Sequence, residues 1–167
     1  MSMTSMQTLE DLLHEQLQDL YDAEGQIIKA LPKMAEAASS TALRNAFESH
    51  LKQTYVHRER LEKIFTDLGQ KPQAKTCKAM QGLIKEGEEM VKENADPTVK
   101  DAGLIAAAQR VEHYEMAGYG CVRTWANLLD MKSVADVLQK TLDEEGETDK
   151  KLTSLAERVV NVKAANA

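Results

Sequence analysis

Eight glycines and three prolines in 167 residues leave little material for turns, and this scarcity favours long helices over a loop-rich or many-stranded fold. The two cysteines, Cys77 and Cys121, cannot build a disulfide framework, and neither has a partner at metal-ligand spacing. No stretch approaches the ~18 apolar residues of a membrane span. Positive charge is also short: 21 Lys and Arg against 27 Asp and Glu give a net charge of −6. A nucleic-acid partner needs clustered cations, so none is expected. The opening "MSMTSMQTLEDLL" lacks a basic segment followed by an apolar run. No secretory leader is therefore expected, and the default location is cytoplasmic, with free thiols.

What the chain does have is helical periodicity. With 43% hydrophobic and 29% charged residues it suits a globular protein with a real core. Capping and breaking signals divide it into helices of roughly 8–38, 41–68, 97–129 and 134–161, with a shorter amphipathic piece at about 76–93. "SST" at 39–41 supplies N-cap residues, Asp96 and Pro97 open the third long helix, and Ser133 with Asp136 reads as a capping-box variant. The long helices form two tight hairpins joined by one long crossover that carries the short helix. That connectivity predicts an all-α, ferritin-like four-helix bundle in one domain spanning 1–167. Pro32, inside the first helix, is expected to kink it.

Spacings of three and four residues trace an apolar stripe along each long helix, and three stripes carry an acid at mid-length. The first reads Leu9, Leu13, Leu17, Leu20, Glu24, Ile27, Leu31, Met34. The third reads Leu104, Ala108, Val111, Glu115, Gly118, Val122, Trp125, Leu129, with Glu112 one turn before Glu115. The fourth reads Val134, Leu138, Thr141, Glu145, Thr148, Leu152, Leu155, Val159. The second, Leu43, Phe47, His50, Thr54, His57, Leu61, Ile64, Leu68, is polar at its centre without an acid, and Gln53 lies beside it. Folding each hairpin on its turn brings Glu24, Gln53, Glu112, Glu115 and Glu145 to one level. Unpaired carboxylates there would cost several kcal/mol each or take up protons. No stripe offers a Lys or Arg at that level. A bound cation resolves the conflict, and oxygen ligands mixed with imidazole suit iron or manganese, two ions being the number that four helices and a Glu112-x-x-Glu115 pair can bridge.

The stretches "LYDAEGQIIKALPKMA", "HLKQTYVHRERLEKIF", "DAGLIAAAQRVEHYEMAGYG" and "LDEEGETDKKLTSLA" resemble the YciE/YciF family of bacterial ferritin-like proteins over nearly the whole chain. The resemblance implies a ferritin-like fold related to the diiron domain of rubrerythrins, a homodimer, and a link to bacterial stress responses. It also implies that Glu24, Glu112, Glu115 and Glu145 occupy the family's site positions. In the "EHYE" and "DEEGETD" motifs the histidine of rubrerythrin-type helices is missing; Thr148 stands in its place in the second, with Asp149 beside it. Helix two departs from the family pattern: Gln53 replaces the usual glutamate of His-Leu-x-Glu-Thr, and His57 stands one turn on, where the family often has glutamine.

The expected metal ligands are therefore Glu24, Gln53, His57, Glu112, Glu115, Glu145 and Asp149. His50 reads instead as a core or hairpin histidine, and His14 and His113 as exposed. Tyr21 and Tyr119 fall one turn from Glu24 and Glu115, where a tyrosine hydrogen-bonds a carboxylate. Two functions fit. One is a metalloprotein handling iron, oxygen or peroxide at a dinuclear carboxylate centre. The other is a non-catalytic structural stress protein with a vestigial or weakly occupied site.

Overall fold

Helix formation follows the local signals closely in the computed structural model, which describes residues 6–167. Five helices carry the architecture: α1 Leu9–Ala37, α2 Thr41–Asp67, α3 Lys78–Lys92, α4 Pro97–Leu128 and α5 Lys132–Leu155. A π-helical turn, Ala156–Val160, and a last short helix, α6 Asn161–Ala164, complete the chain. There is no strand among the described residues. The first five residues, part of the stretch expected to carry no leader, lie outside them. No helix among the described residues is long and apolar enough to cross a membrane.

Caps explain the helix starts. Thr8 and Asp11 form a reciprocal capping box on α1. Ser40 accepts from Leu43 N–H at α2, and Asp96 accepts from Thr98 and Val99 N–H with Pro97 in the first turn of α4. The expected box at Ser133 does not form: α5 starts at Lys132 after Met131, with no side-chain cap. Gly69 ends the α2 region at φ 71°, a left-handed conformation that glycine adopts without a Cβ clash. Pro32 does not break α1, which runs on to Ala37.

Helices α1 and α2 pack as one hairpin and α4 and α5 as the other, with α1 facing α4 and α2 facing α5. Crossover helix α3 lies against α1 and α4. Buried Asp101 locks the α1–α2 turn to α4, accepting from Ser39 N–H and Ser40 N–H, each at 2.8 Å, and from the Ser39 hydroxyl at 2.6 Å.

The core falls into two apolar halves. One gathers Ile27, Leu31, Leu43, Phe47, Leu104, Ile105 and Leu152. The other gathers Leu13, Leu17, Leu61, Phe65, Val122 and Leu138. Between them lies a buried polar layer of Glu24, His50, Thr54, His57, Glu112, Glu115, Thr141, Glu145 and Thr148. At the far end of α5 the burial pattern slips by one residue. Ala156 and Val160 are buried, whereas Leu155 and Val159, the expected stripe positions, are half-exposed. The π-helical turn inserts the extra residue that rotates the stripe.

Candidate metal centre

Each long helix contributes to the polar layer because its stripe turns polar at the same height. On α2, His50, Thr54 and His57 follow one another at spacings of four and three, so all three face inward. Glu112 and Glu115 of α4 and Glu145 of α5 do the same, and Glu24 closes the layer from α1.

Two groups of side chains converge closely enough to share an ion. His50, Glu112, Glu115 and Glu145 form one, and Glu24, His57 and Glu145 the other, with the ligand atoms of each group within 4.8 Å of one another. Glu145 belongs to both. Its Oε2 lies 3.7 Å from His50 Nε2, and its Oε1 lies 2.8 Å from His57 Nδ1. Glu112 Oε1 sits 3.0 Å from His50 Nε2, and Glu24 Oε1 sits 3.7 Å from His57 Nδ1. The Tyr119 hydroxyl donates to Glu24 Oε1.

Burial makes this arrangement costly without a cation. Glu24, Glu115 and Glu145 are 0% exposed and Glu112 is 2% exposed. Glu24 Oε2, Glu112 Oε2 and both oxygens of Glu115 lack hydrogen-bond partners, while His50 Nε2 and His57 Nδ1 meet only the carboxylates of the layer itself. No lysine or arginine among the described residues forms an ion pair with these four glutamates. Desolvation, then the negative charge of Glu145, raises the pKa of Glu24; the same causes, with Glu24 and Glu112 added, drive Glu115 well above the usual carboxylate range. Burial also raises Glu112, against the pull of His50. Burial would raise Glu145 too, but His57 and His50 beside it outweigh that and hold it low. Burial would lower His50, yet Glu112 against its ring lifts it to about 9. Oxygen and imidazole donors, buried and inward-facing, fit a divalent transition metal.

Five of the seven expected ligands meet here: Glu24, His57, Glu112, Glu115 and Glu145. Asp149 does not join them. It lies round α5 on the α4 side, where its Oδ1 accepts from Gln109 Nε2 at 3.1 Å and faces His113 Nε2 at 3.3 Å. Gln53 sits at the edge of the inward face, half-buried, with its carbonyl accepting from the Thr148 hydroxyl at 3.4 Å. His50, read from the sequence as a core or hairpin histidine, stands with Glu112, Glu115 and Glu145 in the first group. Its signal was already in the sequence, seven residues from His57 and hence two turns away on the same face. His14 is half-buried against Phe65, whereas His113 is exposed. Tyr21 turns from the centre and donates to Glu62 at 2.8 Å.

A family model described as a domain of unknown function, DUF892, matches residues 8–165. The chain belongs to this family. Protein YciF of Escherichia coli K12, whose family the sequence motifs resemble, is 44% identical over 163 residues, covering 97% of this chain and 98% of that protein. The crystal structure of the E. coli stress protein YciF has a TM-score of 0.90 at 43% identity, covering 93% of this chain and 99% of that one. YcfI of Rhodopseudomonas palustris, described as a candidate structural protein, has a TM-score of 0.88 at 46% identity, covering 92% of this chain and 98% of that one. A Xanthomonas campestris protein at 19% identity shares the fold, with a TM-score of 0.77. The DUF892 helices thus form the bundle seen in YciF, with buried histidines and glutamates that could hold a metal ion.

Proposed function

We propose that this chain is a metal-binding stress-response protein whose bundle holds two ions, iron or manganese, at the polar layer. The supporting observation is the convergence of buried carboxylate and imidazole donor atoms from four helices, with no lysine or arginine among the described residues to neutralise the acids. His50, Glu112 and Glu115 would hold one ion, Glu24 and His57 the other, and Glu145 would span both. Bound together, such ions supply redox chemistry toward oxygen or peroxide. The protein's own contribution is to fix ligand geometry, to hold Glu24 through the Tyr119 hydroxyl, and to bracket the centre with two apolar clusters that exclude water. Names of relatives also support a stress role, since YciF is called a stress protein.

Anaerobic titration of metal-free protein with iron(II) or manganese(II) tests this reading. Wild type should bind two ions per chain, and Glu115→Gln should lose tight binding, because it removes an acid from the heart of the first group. Unchanged stoichiometry and affinity in Glu115→Gln would refute the assignment. A second reading, a structural stress protein, draws on the description of YcfI as a candidate structural protein. Wild-type protein that takes up no metal would favour it.

A further inference from the structure

Outside the ligand set, one charged pair reaches the centre through a histidine. Glu144 Oε2 lies 2.9 Å from His57 Nε2. A carboxylate can only accept, so Nε2 donates to Glu144, and Nδ1, which faces Glu145 and Glu24, is the nitrogen whose lone pair would reach an ion at the centre. Arg60 fixes Glu144 in turn: Nη1 donates to Oε2 at 2.6 Å and Nη2 to Oε1 at 3.0 Å, a two-pronged grip on one carboxylate. Arg60 Nη1 also donates to the buried Thr141 hydroxyl at 3.0 Å, which ties the pair to α5 at the height of the centre. His50 has a much weaker support, with the Thr148 hydroxyl 3.4 Å from its Nδ1.

We propose that Arg60 and Glu144 are positioning residues that reserve His57 Nδ1 for the second ion, so that a protein without them holds one ion instead of two. This rests on the two-ion reading above and deepens it. The two groups share only Glu145, so loss of the His57 support should spare the ion among His50, Glu112, Glu115 and Glu145. An outer carboxylate that orients a ligating histidine characteristically matters about 10- to 100-fold in affinity. A plain α2–α5 ion pair would change stability and leave stoichiometry alone.

The experiment is a manganese(II) titration of wild type, Glu144→Leu, Glu144→Gln and Arg60→Leu by calorimetry, with electron paramagnetic resonance to separate paired from isolated ions. Circular dichroism verifies that each variant is folded. Wild type should show two ions with a coupled-pair signal. Glu144→Leu should keep one site at full affinity, weaken the other about 10- to 100-fold, and show the isolated-ion signal. Glu144→Gln should recover much of the pair, since its carbonyl can accept from the same Nε2–H. Arg60→Leu should weaken the second site by less than Glu144→Leu does. Two full-affinity ions in folded Glu144→Leu would overturn the proposal while leaving the two-ion reading intact. Equal weakening of both sites without rescue by Glu144→Gln would likewise overturn it and assign the pair a purely structural role. Wild type that binds fewer than two ions would overturn the two-ion reading itself and this proposal with it.

Discussion

At the residue scale, Glu115 and Tyr119 put stability and binding in opposition. Glu115 is fully buried with neither oxygen partnered, so in metal-free protein it is a liability. Glu115→Gln should therefore raise the melting temperature of the metal-free protein at pH 8, where ionising the native residue is most costly, while removing the gain from added manganese. A variant less stable than wild type without metal would contradict this. Tyr119→Phe should act the other way. Its hydroxyl donates to buried Glu24, and a lost hydrogen bond to a buried acid costs about 1–3 kcal/mol. Urea denaturation of metal-free protein reads that value, and a change within error of zero would mean that Glu24 does not depend on the bond.

At the element scale, two features hold the ends of helices in place. Buried Asp101 satisfies two backbone N–H groups at the α1–α2 turn, so Asp101→Ala removes both bonds and should cost about 1–3 kcal/mol in denaturant unfolding. Near-neutral stability would show that water replaces the carboxylate there. The π-helical turn makes Val160, and not Val159, the buried residue at the end of the bundle. Val160→Ala should therefore destabilise more than Val159→Ala, because only the first opens space in the core. Stripe periodicity alone ranks the two in reverse, so their relative melting temperatures decide whether the turn persists in solution.

At the scale of the whole molecule, the buried layer links stability to pH and to metal. Burial with the charge of Glu145 raises Glu24 to about 7, and burial raises Glu112 to about 8. Both groups bind protons more tightly folded than unfolded, where their value is near 4.5. Their contribution is complete below that value and is lost as the pH rises through 7 and 8. His50, raised from 6.5 to about 9 by Glu112, acts in the same direction over a higher window. Glu145, held down by His57 and His50 despite burial, contributes above its ordinary value and loses that only toward pH 2. Metal-free protein should accordingly melt at lower temperature as the pH rises from 5 to 9. Bound cations replace those protons, so the gain from manganese should grow over the same range. Melting curves with chelator and with manganese at several pH values should diverge, and parallel curves would contradict the linkage. The family resemblance further implies a dimer, which sedimentation at micromolar concentration checks; a monomer throughout would remove that expectation.

Much of this molecule was legible without its structure. Caps and breakers placed the first four helices to within two residues, since capping is a local contest for a handful of N–H and C=O groups, whereas the last, expected over 134–161, ends as α5 at Leu155. The α2 stripe named seven of the eight residues buried on that helix, because a regular 3.6-residue period needs no tertiary information. The family resemblance and the periodicity agreed on Glu24, Glu112, Glu115 and Glu145, which do converge.

Angular position around each helix separates what sequence determined from what only tertiary structure decided. Residues on the centre of a stripe must face the core, so their place followed from spacing alone. Residues at its edge face whichever neighbour lies on that side. Glu144 leans toward α2 and meets His57 and Arg60, whereas Asp149 leans toward α4 and meets Gln109 and His113. The convergence of His50 with Glu112, Glu115 and Glu145, and the slip at the π-helical turn, likewise depend on how the helices rotate against one another. That rotation is set by packing between segments far apart in sequence, which no local pattern encodes.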